Sequence, residues 1–177
     1  TVIAMDLEQF FDSLDHEILK KRWQETLGVE RLSPDHYAIY KAITRFAYCD
    51  QRAVIVATKK ARRNHRWHYT KPEEFRLCIA GQGGTRSLIK SHCDDEKHGA
   101  KGQGVPQGSP ISATLANLYL FDFDRAVHRE VSRLGGKYYR YSDDLLFIIP
   151  GSRETASRTE DFIVDRIFVS KVTIQSQ

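Results

Sequence analysis

Three aspartates lie where apolar segments meet polar turns. Asp6 follows the apolar run 2–5, and Asp143 and Asp144 lie inside segment 139–149, whose other residues are mostly apolar or aromatic. Adjacent carboxylates that are partly buried raise each other's pKa and lose solvation, a cost that a divalent cation removes. Mg²⁺ prefers carboxylate oxygens with water and phosphates, and two ions about 3.5–4 Å apart support phosphoryl transfer. The pattern indicates a two-metal site, with a solvated Asp-Asp turn as the alternative.

A glycine-rich loop, residues 102–110, is the second candidate for chemistry. It reads GQGVPQGSP. Glycine lets the backbone approach a ligand closely, and Ser109-Pro110 predicts a helix whose first amides would face that ligand. An anionic or nucleotide ligand fits, and an ordinary glycine-rich connection is the alternative. The loop matches neither GxxxxGK[ST] nor GxGxxG, so the P-loop and Rossmann motifs are excluded.

Strands are expected to hold the aspartates. Run 2–5 predicts a core strand, and segment 137–150 predicts two short strands around a polar turn. Residues 169–177 read as a strand that is cut short. Because the first and last strands start and stop abruptly, we expect the chain to be a piece of a longer protein.

Helices are predicted from capping residues, prolines and apolar spacing. The predicted segments are Asp15 to Gly28, with Leu19, Trp23 and Leu27 on one face; a helix from Ser33-Pro34, with Tyr40, Ile43 and Ala47 on one face; Ser109-Pro110 to about Leu134, before Gly135-Gly136; and Asp161 to Phe168.

Composition predicts one folded domain. The 177 residues are 41% apolar and 28% charged, and 27 Lys and Arg against 23 Asp and Glu give a net charge of +4. This balance permits a polyanionic partner without requiring one. No uncharged apolar stretch approaches 18 residues and no secretory leader is visible, so we expect a cytoplasmic protein without a membrane span.

The three cysteines predict reduced thiols. Cys49, Cys78 and Cys93 are 29 and 15 residues apart, an odd count without a CxxC pair, which argues against a disulfide framework. His92, Cys93 and His98 are an alternative set of zinc ligands, although no second pair has suitable spacing.

Segment 52–76 is strongly basic. It holds eight Lys or Arg residues against two Glu, a local net charge of +6, with aromatic residues interleaved. This pattern predicts contact with nucleic acid, because cations neutralise phosphates and aromatic rings stack on bases. A solvated loop is the alternative. The predicted contact residues are Lys59, Lys60, Arg62, Arg63, Arg66 and Trp67, with Tyr69 as a second stacking residue.

Three segments carry a family resemblance. Residues 4–16 (AMDLEQFFDSLDH) resemble motif A of reverse transcriptases, residues 104–119 (GVPQGSPISATLANLY) resemble motif B, and residues 141–144 (YSDD) resemble the Y-x-D-D box of motif C. They follow the order found in the family. The FFDxxxH run and the PQGSPIS segment are most similar to bacterial enzymes of the group II intron, retron and abortive-infection or defence-associated types.

The resemblance implies an α+β polymerase palm, an antiparallel sheet with helices packed on one face, with fingers and thumb largely absent. It places motif A at 1–19, an insertion at 25–100, motif B at 102–121, motif C at 137–150 and the start of motif D at 157–177. A basic segment before motif A and a lysine late in motif D belong to the family pattern and lie outside this chain. We therefore expect the fragment alone to lack full activity.

The resemblance also implies metal ligands. Asp6 and Asp143 would each bind both Mg²⁺ ions, with Mn²⁺ as a substitute, and Asp144 would assist them. These three aspartates are the expected catalytic residues. Leu7 is expected to bind both the metal ions and the nucleotide.

Nucleotide contacts follow from the same motifs. Phe11 would be the steric gate that excludes a 2′-hydroxyl, with a core phenylalanine as the alternative. Gln107 and Gly108 would contact the incoming nucleotide or the template. Tyr141 would lie beside the primer end and contact nucleic acid, with a packed hairpin tyrosine as the alternative.

The expected function is RNA-directed DNA synthesis by two-metal phosphoryl transfer, in a setting of bacterial antiphage defence. The expected partners are an RNA template or structured non-coding RNA, deoxynucleotides, the DNA product and an oligomer or partner subunit. One alternative is a template-independent or protein-primed nucleotidyltransferase of the abortive-infection type. Another is a non-catalytic palm that acts as an RNA-binding scaffold.

Overall fold

The computed structural model describes residues 1–58, 71–82, 84, 86–92 and 102–175. In chain order, the elements are β1 (Val2–Glu8), α1 (Phe10–Ser13), α2 (His16–Leu27), α3 (Pro34–Thr44), β2 (Ala47–Tyr48), α4 (Gln51–Thr58), α5 (Pro72–Glu74) continued by a π-helix (Phe75–Ile79), β3 (Lys90–Ser91), α6 (Ser112–Tyr119), α7 (Phe121–Arg133), β4 (Lys137–Tyr141), β5 (Asp144–Ile148), α8 (Arg153–Val169) and β6 (Thr173–Ile174).

These elements fall into two compact units. The first combines residues 1–44 with 99–177, and the second comprises residues 45–98. All residues of the described hydrophobic core belong to the first unit. The three aspartates and the glycine-rich loop also belong to it.

A four-stranded antiparallel sheet lies at the centre of the first unit, with strand order β4-β5-β1-β6. Burial alternates along its strands, as a sheet with one covered face requires. Met5 and Leu7 on β1 and Leu145 and Phe147 on β5 are buried, whereas the residues between them are exposed. Burying a side chain such as Phe147 contributes roughly 1.5–3 kcal/mol, so this alternation fixes the register of the strands.

Helices cover the buried face of the sheet. The core that they share with the strands includes Leu115 and Tyr119 of α6, Val127 of α7, and Ile163 and Ile167 of α8. The predicted α+β architecture, an antiparallel sheet with helices on one face, is confirmed.

Local signals set the ends of several helices. The Asp15 carboxylate accepts hydrogen bonds from the amides of Glu17 and Ile18 at the start of α2, and Gly28 ends that helix with φ 65°. Pro34 begins α3 as predicted, but the helix ends at Thr44, so Ala47 lies in β2 instead of on its apolar face.

The predicted single helix from Ser109 to Leu134 is wrong. Helix α6 begins at Ser112, and the chain turns at Leu120 before α7. Leu120, at this break, is fully buried, and tertiary packing can override a helical periodicity. Gly136 follows α7 at a point where a Cβ atom would lie 2.5 Å from the Ile148 carbonyl oxygen, so the close approach to β5 requires glycine.

The second unit contains a two-stranded sheet. β2 pairs with β3 in antiparallel register, and the Phe46 ring stacks on the buried His92 ring with centroids 4.3 Å apart. Cys49 and Cys78 are free thiols in this unit. In the part of the chain that the structure describes, no helix is long and apolar enough to cross a membrane.

Candidate active site

The pairing of β1 with β5 brings two of the three aspartates together. Asp6 lies directly opposite Asp144, and the Leu7 amide donates a hydrogen bond of 3.2 Å to the Asp143 carbonyl oxygen. Residues that oppose each other on antiparallel strands project to the same face of the sheet. Asp6 and Asp144 therefore share the exposed face, and Asp143 is adjacent in the turn.

A two-residue turn carries Asp143. Tyr141 pairs with Asp144, which leaves Ser142 and Asp143 as the whole connection between β4 and β5. Ser142 has a φ of 57°, the sign that a type II′ hairpin turn requires at its first central residue. This position normally favours glycine, so the turn is held in a conformation that its serine does not prefer.

The carboxylates of Asp6, Asp143 and Asp144 form no ion pair with any described residue. Within residues 1–58, 71–82, 84, 86–92 and 102–175, no three His, Cys, Asp or Glu side chains are gathered closely enough to hold a metal ion. The chemistry of these carboxylates fits Mg²⁺, because Asp6 and Asp144 lie opposite each other on adjacent strands, Asp143 follows in the turn, and no described cation neutralises them.

The exposed face of the sheet carries a hollow of about 440 Å³, and Asp6 and Asp144 are among the residues that line it. Tyr139 lies opposite Leu146, and Leu146 lies opposite Ala4, so one row of side chains crosses the three strands. Tyr141 lies opposite Asp144 in the next such row and is 84% exposed. The alternative of a packed hairpin tyrosine is therefore wrong, and Tyr141 is available to a ligand.

Leu7 and Phe11 differ in how far their side chains are buried. The Leu7 side chain is buried, so only its backbone can meet a metal or a nucleotide. The Phe11 ring is half-buried against the core, with its centroid 5.4 Å from that of Phe10, which is fully buried. Phe10 is the core residue of the pair, and Phe11 is only partly buried.

The glycine-rich loop is hydrogen-bonded along segment 11–16. The pairing is antiparallel, and it places the loop against the same segment that follows Asp6. The hydrogen bonds join His16 N to Gly102 O (2.9 Å), Gly104 N to Leu14 O (2.9 Å), Val105 N to Phe11 O (2.8 Å) and His16 Nε2 to Gly104 O (2.6 Å).

His16 has a positioning role that the sequence did not reveal. Its ring is buried, and because a carbonyl oxygen only accepts, Nε2 must carry the proton that it donates to Gly104. Its own carbonyl accepts a hydrogen bond of 2.9 Å from the Tyr40 hydroxyl. The FFDxxxH run contained this histidine, but its partner is 88 residues away in the chain.

Gln107 and Gly108 lie exposed in the turn that precedes α6, where Gly108 has a φ of 75°. The Ser112 hydroxyl donates to the Pro106 carbonyl at 2.5 Å and closes this turn. Helix α6 begins after this turn, at Ser112, so its first amides belong to residues after Ile111. The prediction that Ser109-Pro110 opens the helix is wrong.

An arginine behind the hairpin was also missed. The Arg140 guanidinium is almost buried and forms a bidentate ion pair with Asp124, which also accepts a hydrogen bond from Tyr138. Burial by itself would lower the pKa of Arg140, but hydrogen bonding and attraction to Asp124 raise it. Burial and the Asp124 charge raise the pKa of the Tyr138 hydroxyl, so it remains a neutral donor. The alternation along β4, which directs Arg140 inward, was the available signal.

Some predicted residues lie outside the described part of the chain. This applies to the basic residues of the predicted nucleic-acid segment, and to two of the three alternative zinc ligands, Cys93 and His98. The third, His92, is buried against Phe46. The undescribed residues of the basic segment are Lys59, Lys60, Arg62, Arg63, Arg66, Trp67 and Tyr69.

Comparison with known proteins identifies a family. The family model described as "Reverse transcriptase (RNA-dependent DNA polymerase)" matches residues 1–177. Among solved structures, the apo telomerase of Candida tropicalis has a similar fold, with a TM-score of 0.53 and 14% sequence identity. That match covers 98% of this chain and 27% of the telomerase chain, so this chain spans about a quarter of its length. No curated protein matches the sequence.

Proposed function

The chain belongs to the reverse transcriptase (RNA-dependent DNA polymerase) family, and from that premise we propose that it is the catalytic palm of an RNA-directed DNA polymerase. The proposal rests on one observation above all. The register sets Asp6 directly opposite Asp144, and the hydrogen bond from the Leu7 amide holds the backbone of Asp143 in the adjacent turn.

Two Mg²⁺ ions, or Mn²⁺ in their place, would supply the activation of the attacking 3′-hydroxyl and the stabilisation of the leaving pyrophosphate. Asp6 and Asp143 are the proposed ligands of both ions, with Asp144 in support. Leu7 would contribute through its backbone carbonyl, since its side chain is buried. Strand pairing fixes the backbone of Asp6, Leu7 and Asp144, and the Leu7 amide holds that of Asp143, which limits the reorganisation that the reaction requires.

The remaining contacts of the nucleotide and primer are proposed from position. Phe11 would contact the sugar of the incoming deoxynucleotide, because it is only partly buried and lies in α1, directly after the strand that carries Asp6. Gln107 and Gly108, exposed in the loop that pairs with segment 11–16, would contact the nucleotide or the template. Tyr141, on the open face beside Asp144, would support the primer end.

We further propose an RNA template, deoxynucleotides and a DNA product as partners, with the basic segment 59–67 as a nucleic-acid contact. The proposed boundaries are 1–19 for motif A, 102–121 for motif B, 137–150 for motif C and 157–177 for the start of motif D, with an insertion at 25–100. The FFDxxxH run and the PQGSPIS segment favour a bacterial enzyme, and we propose antiphage defence as its setting.

Replacing Asp143 with Asn tests the function in the intact protein. With Mg²⁺, labelled deoxynucleotides, an RNA template and a primer, we expect template-directed incorporation that falls at least about 10²-fold in Asp143→Asn. Asp165→Asn, which changes an exposed carboxylate on α8, is the matched control and should leave incorporation unchanged.

The other possible results of this experiment would each contradict the proposed function or indicate a different one. A product whose composition ignores the template, and which Asp143→Asn abolishes, would indicate a template-independent or protein-primed nucleotidyltransferase. Equal incorporation by the wild type and Asp143→Asn would contradict the proposed site. RNA binding with no incorporation under any condition would indicate a non-catalytic scaffold.

A further inference from the structure

Arg140 lies behind the turn that carries Asp143 and connects it to two helices. Its side chain is 8% exposed. Nε and Nη2 donate to the Asp124 carboxylate of α7 at 2.9 and 2.6 Å. Nη2 also donates to Asn117 Oδ1 of α6 at 3.1 Å, and Nη1 donates to the Ser142 carbonyl oxygen at 3.0 Å.

The partner of this arginine is itself held firmly. Asp124 Oδ1 accepts a second hydrogen bond, 2.7 Å long, from the Tyr138 hydroxyl. The Tyr138 ring stacks on Phe147, with centroids 4.9 Å apart and an interplanar angle of 10°. The guanidinium fork is therefore oriented by a carboxylate whose own position is set by core packing.

The turn is short, and the carbonyl oxygens of both its residues accept hydrogen bonds. Ser142 adopts a positive φ, and the connection contains only Ser142 and Asp143. The carbonyl of Asp143 is held by the Leu7 amide, and the carbonyl of Ser142 is held by Arg140. With both carbonyl oxygens fixed, the direction in which the Asp143 side chain leaves the backbone is fixed as well.

We propose that Arg140 is a positioning residue that, through the Ser142 carbonyl, orients Asp143 to bind metal. The same guanidinium contacts Asn117 on α6, the helix that follows the glycine-rich loop, so it joins the proposed nucleotide-binding and metal-binding segments. This inference rests on the proposed function. A purely structural ion pair would stabilise the fold without changing how the protein binds a divalent cation.

Arg140→Lys separates these two roles in the intact protein. Lysine keeps the positive charge, but its single ammonium cannot reproduce the planar fork that serves Asp124 and Ser142 together. Loss of such an outer contact typically costs about 10–100-fold in metal affinity or activity. The matched control is Arg133→Lys, because exposed Arg133 donates two hydrogen bonds to Glu130 on α7, away from the turn.

Four quantities are measured: kcat, the KM for the deoxynucleotide, the Mg²⁺ concentration that gives half-maximal incorporation, and Mn²⁺ affinity by electron paramagnetic resonance without nucleotide. For Arg140→Lys we expect kcat to fall about tenfold and both metal affinities to weaken about tenfold, while KM changes less than twofold. Asp124→Asn, which loosens the same fork from its other side, should weaken Mn²⁺ binding in the same direction.

Wild-type Mn²⁺ affinity in a folded Arg140→Lys protein would overturn the inference, even if its thermal stability were reduced. If Arg140→Lys does not fold, unchanged Mn²⁺ affinity in Asp124→Asn would overturn it instead. A wild-type protein that binds Mn²⁺ through this site but incorporates no nucleotide would contradict the proposed function. The positioning role would then be decided by comparing the Mn²⁺ affinity of Arg140→Lys with that of the wild type.

Discussion

The main chain and the side chain of Phe11 serve different purposes. The carbonyl oxygen accepts the Val105 amide at 2.8 Å and helps to hold the glycine-rich loop, whereas the ring stays half-buried beside Phe10. A substitution of the side chain leaves the backbone hydrogen bond in place. Phe11 is therefore a residue at which selectivity can be changed with little effect on the loop.

Phe11→Ala should admit ribonucleotides if the ring is the steric gate. We expect the ratio of deoxynucleotide to ribonucleotide kcat/KM to fall on the order of tenfold to a hundredfold, because an aromatic wall beside the 2′ position is removed. Steady-state incorporation with matched nucleotide pairs measures this ratio. Phe10→Leu, which changes only the buried neighbour, should keep the ratio, and an unchanged ratio in Phe11→Ala would assign the selection to another residue.

The start of α2 is joined to the turn after α8. Lys171 donates to the Asp15 carboxylate at 2.7 Å, and the Tyr119 hydroxyl accepts from the Asp15 amide and donates to the Ser170 carbonyl. Burial raises the pKa of Tyr119 to about 12, so this bridging hydroxyl stays protonated. Segment 11–16, which holds the glycine-rich loop, is therefore fixed from α6 and from the turn after α8.

Stability should depend on pH through Asp15. Burial pushes the pKa of Asp15 up, but the Lys171 hydrogen bond and the helix amides bring it below its ordinary value of 3.8. Because the pKa of Asp15 is lower in the folded state, the interactions of its carboxylate stabilise the fold above pH 3.8. This stabilisation is lost as the pH falls through the folded-state pKa of Asp15. Lys171→Ala should thus reduce the free energy of unfolding at pH 7 by about 0.2–1 kcal/mol, since Lys171 is 61% exposed.

Urea unfolding at pH 7 and in acid measures this loss, which should shrink as the pH falls below 3.8. The control is Lys171→Ala in an Asp15→Asn background, where asparagine keeps the helix cap without the charge and the loss should vanish at every pH. A loss of equal size at all pH values and in both backgrounds would contradict the ion-pair explanation.

At the scale of the whole molecule, the proposed catalytic residues and the most basic segment belong to different units. Asp6, Asp143 and Asp144 lie in the unit that contains the described core, whereas segment 59–67 belongs to the unit of residues 45–98. The net charge of +4 conceals this distribution, since segment 52–76 alone carries +6. Nucleic-acid affinity and nucleotide addition should therefore respond to different substitutions.

The double change Lys59→Gln and Lys60→Gln should weaken RNA binding by the intact protein in a salt-dependent way. Each lost phosphate contact should reduce the slope of log affinity against log salt by about 0.7 for a single strand. Filter binding or fluorescence anisotropy at several salt concentrations measures the slope. Arg153→Gln with Arg158→Gln, two exposed arginines of α8, is the charge-matched control, and an equal reduction in both variants would show that only total charge matters.

The sequence by itself predicted β1, β4, β5 and the start and end of α2, and its motif resemblance predicted the fold class. It did not predict β2 or β3, and of the strand expected over 169–177 the described residues form only Thr173–Ile174. Apolar runs and helix caps depend on residues close together in the chain, so run 2–5 and the pair Asp15 and Gly28 could be interpreted directly. The motif resemblance predicted the family, and the family model confirms it. The roles of the individual site residues remain predictions.

Only the tertiary structure decided the break at Leu120, the hydrogen bond from His16 to Gly104 and the fork between Arg140 and Asp124. The partners in the two contacts are 88 and 16 residues apart. A buried polar group must find a hydrogen-bond partner, but sequence does not specify which distant group packing will bring within reach. The local pattern therefore placed the carboxylates at the end of a strand and in a hairpin turn, and packing chose the groups that hold them in position.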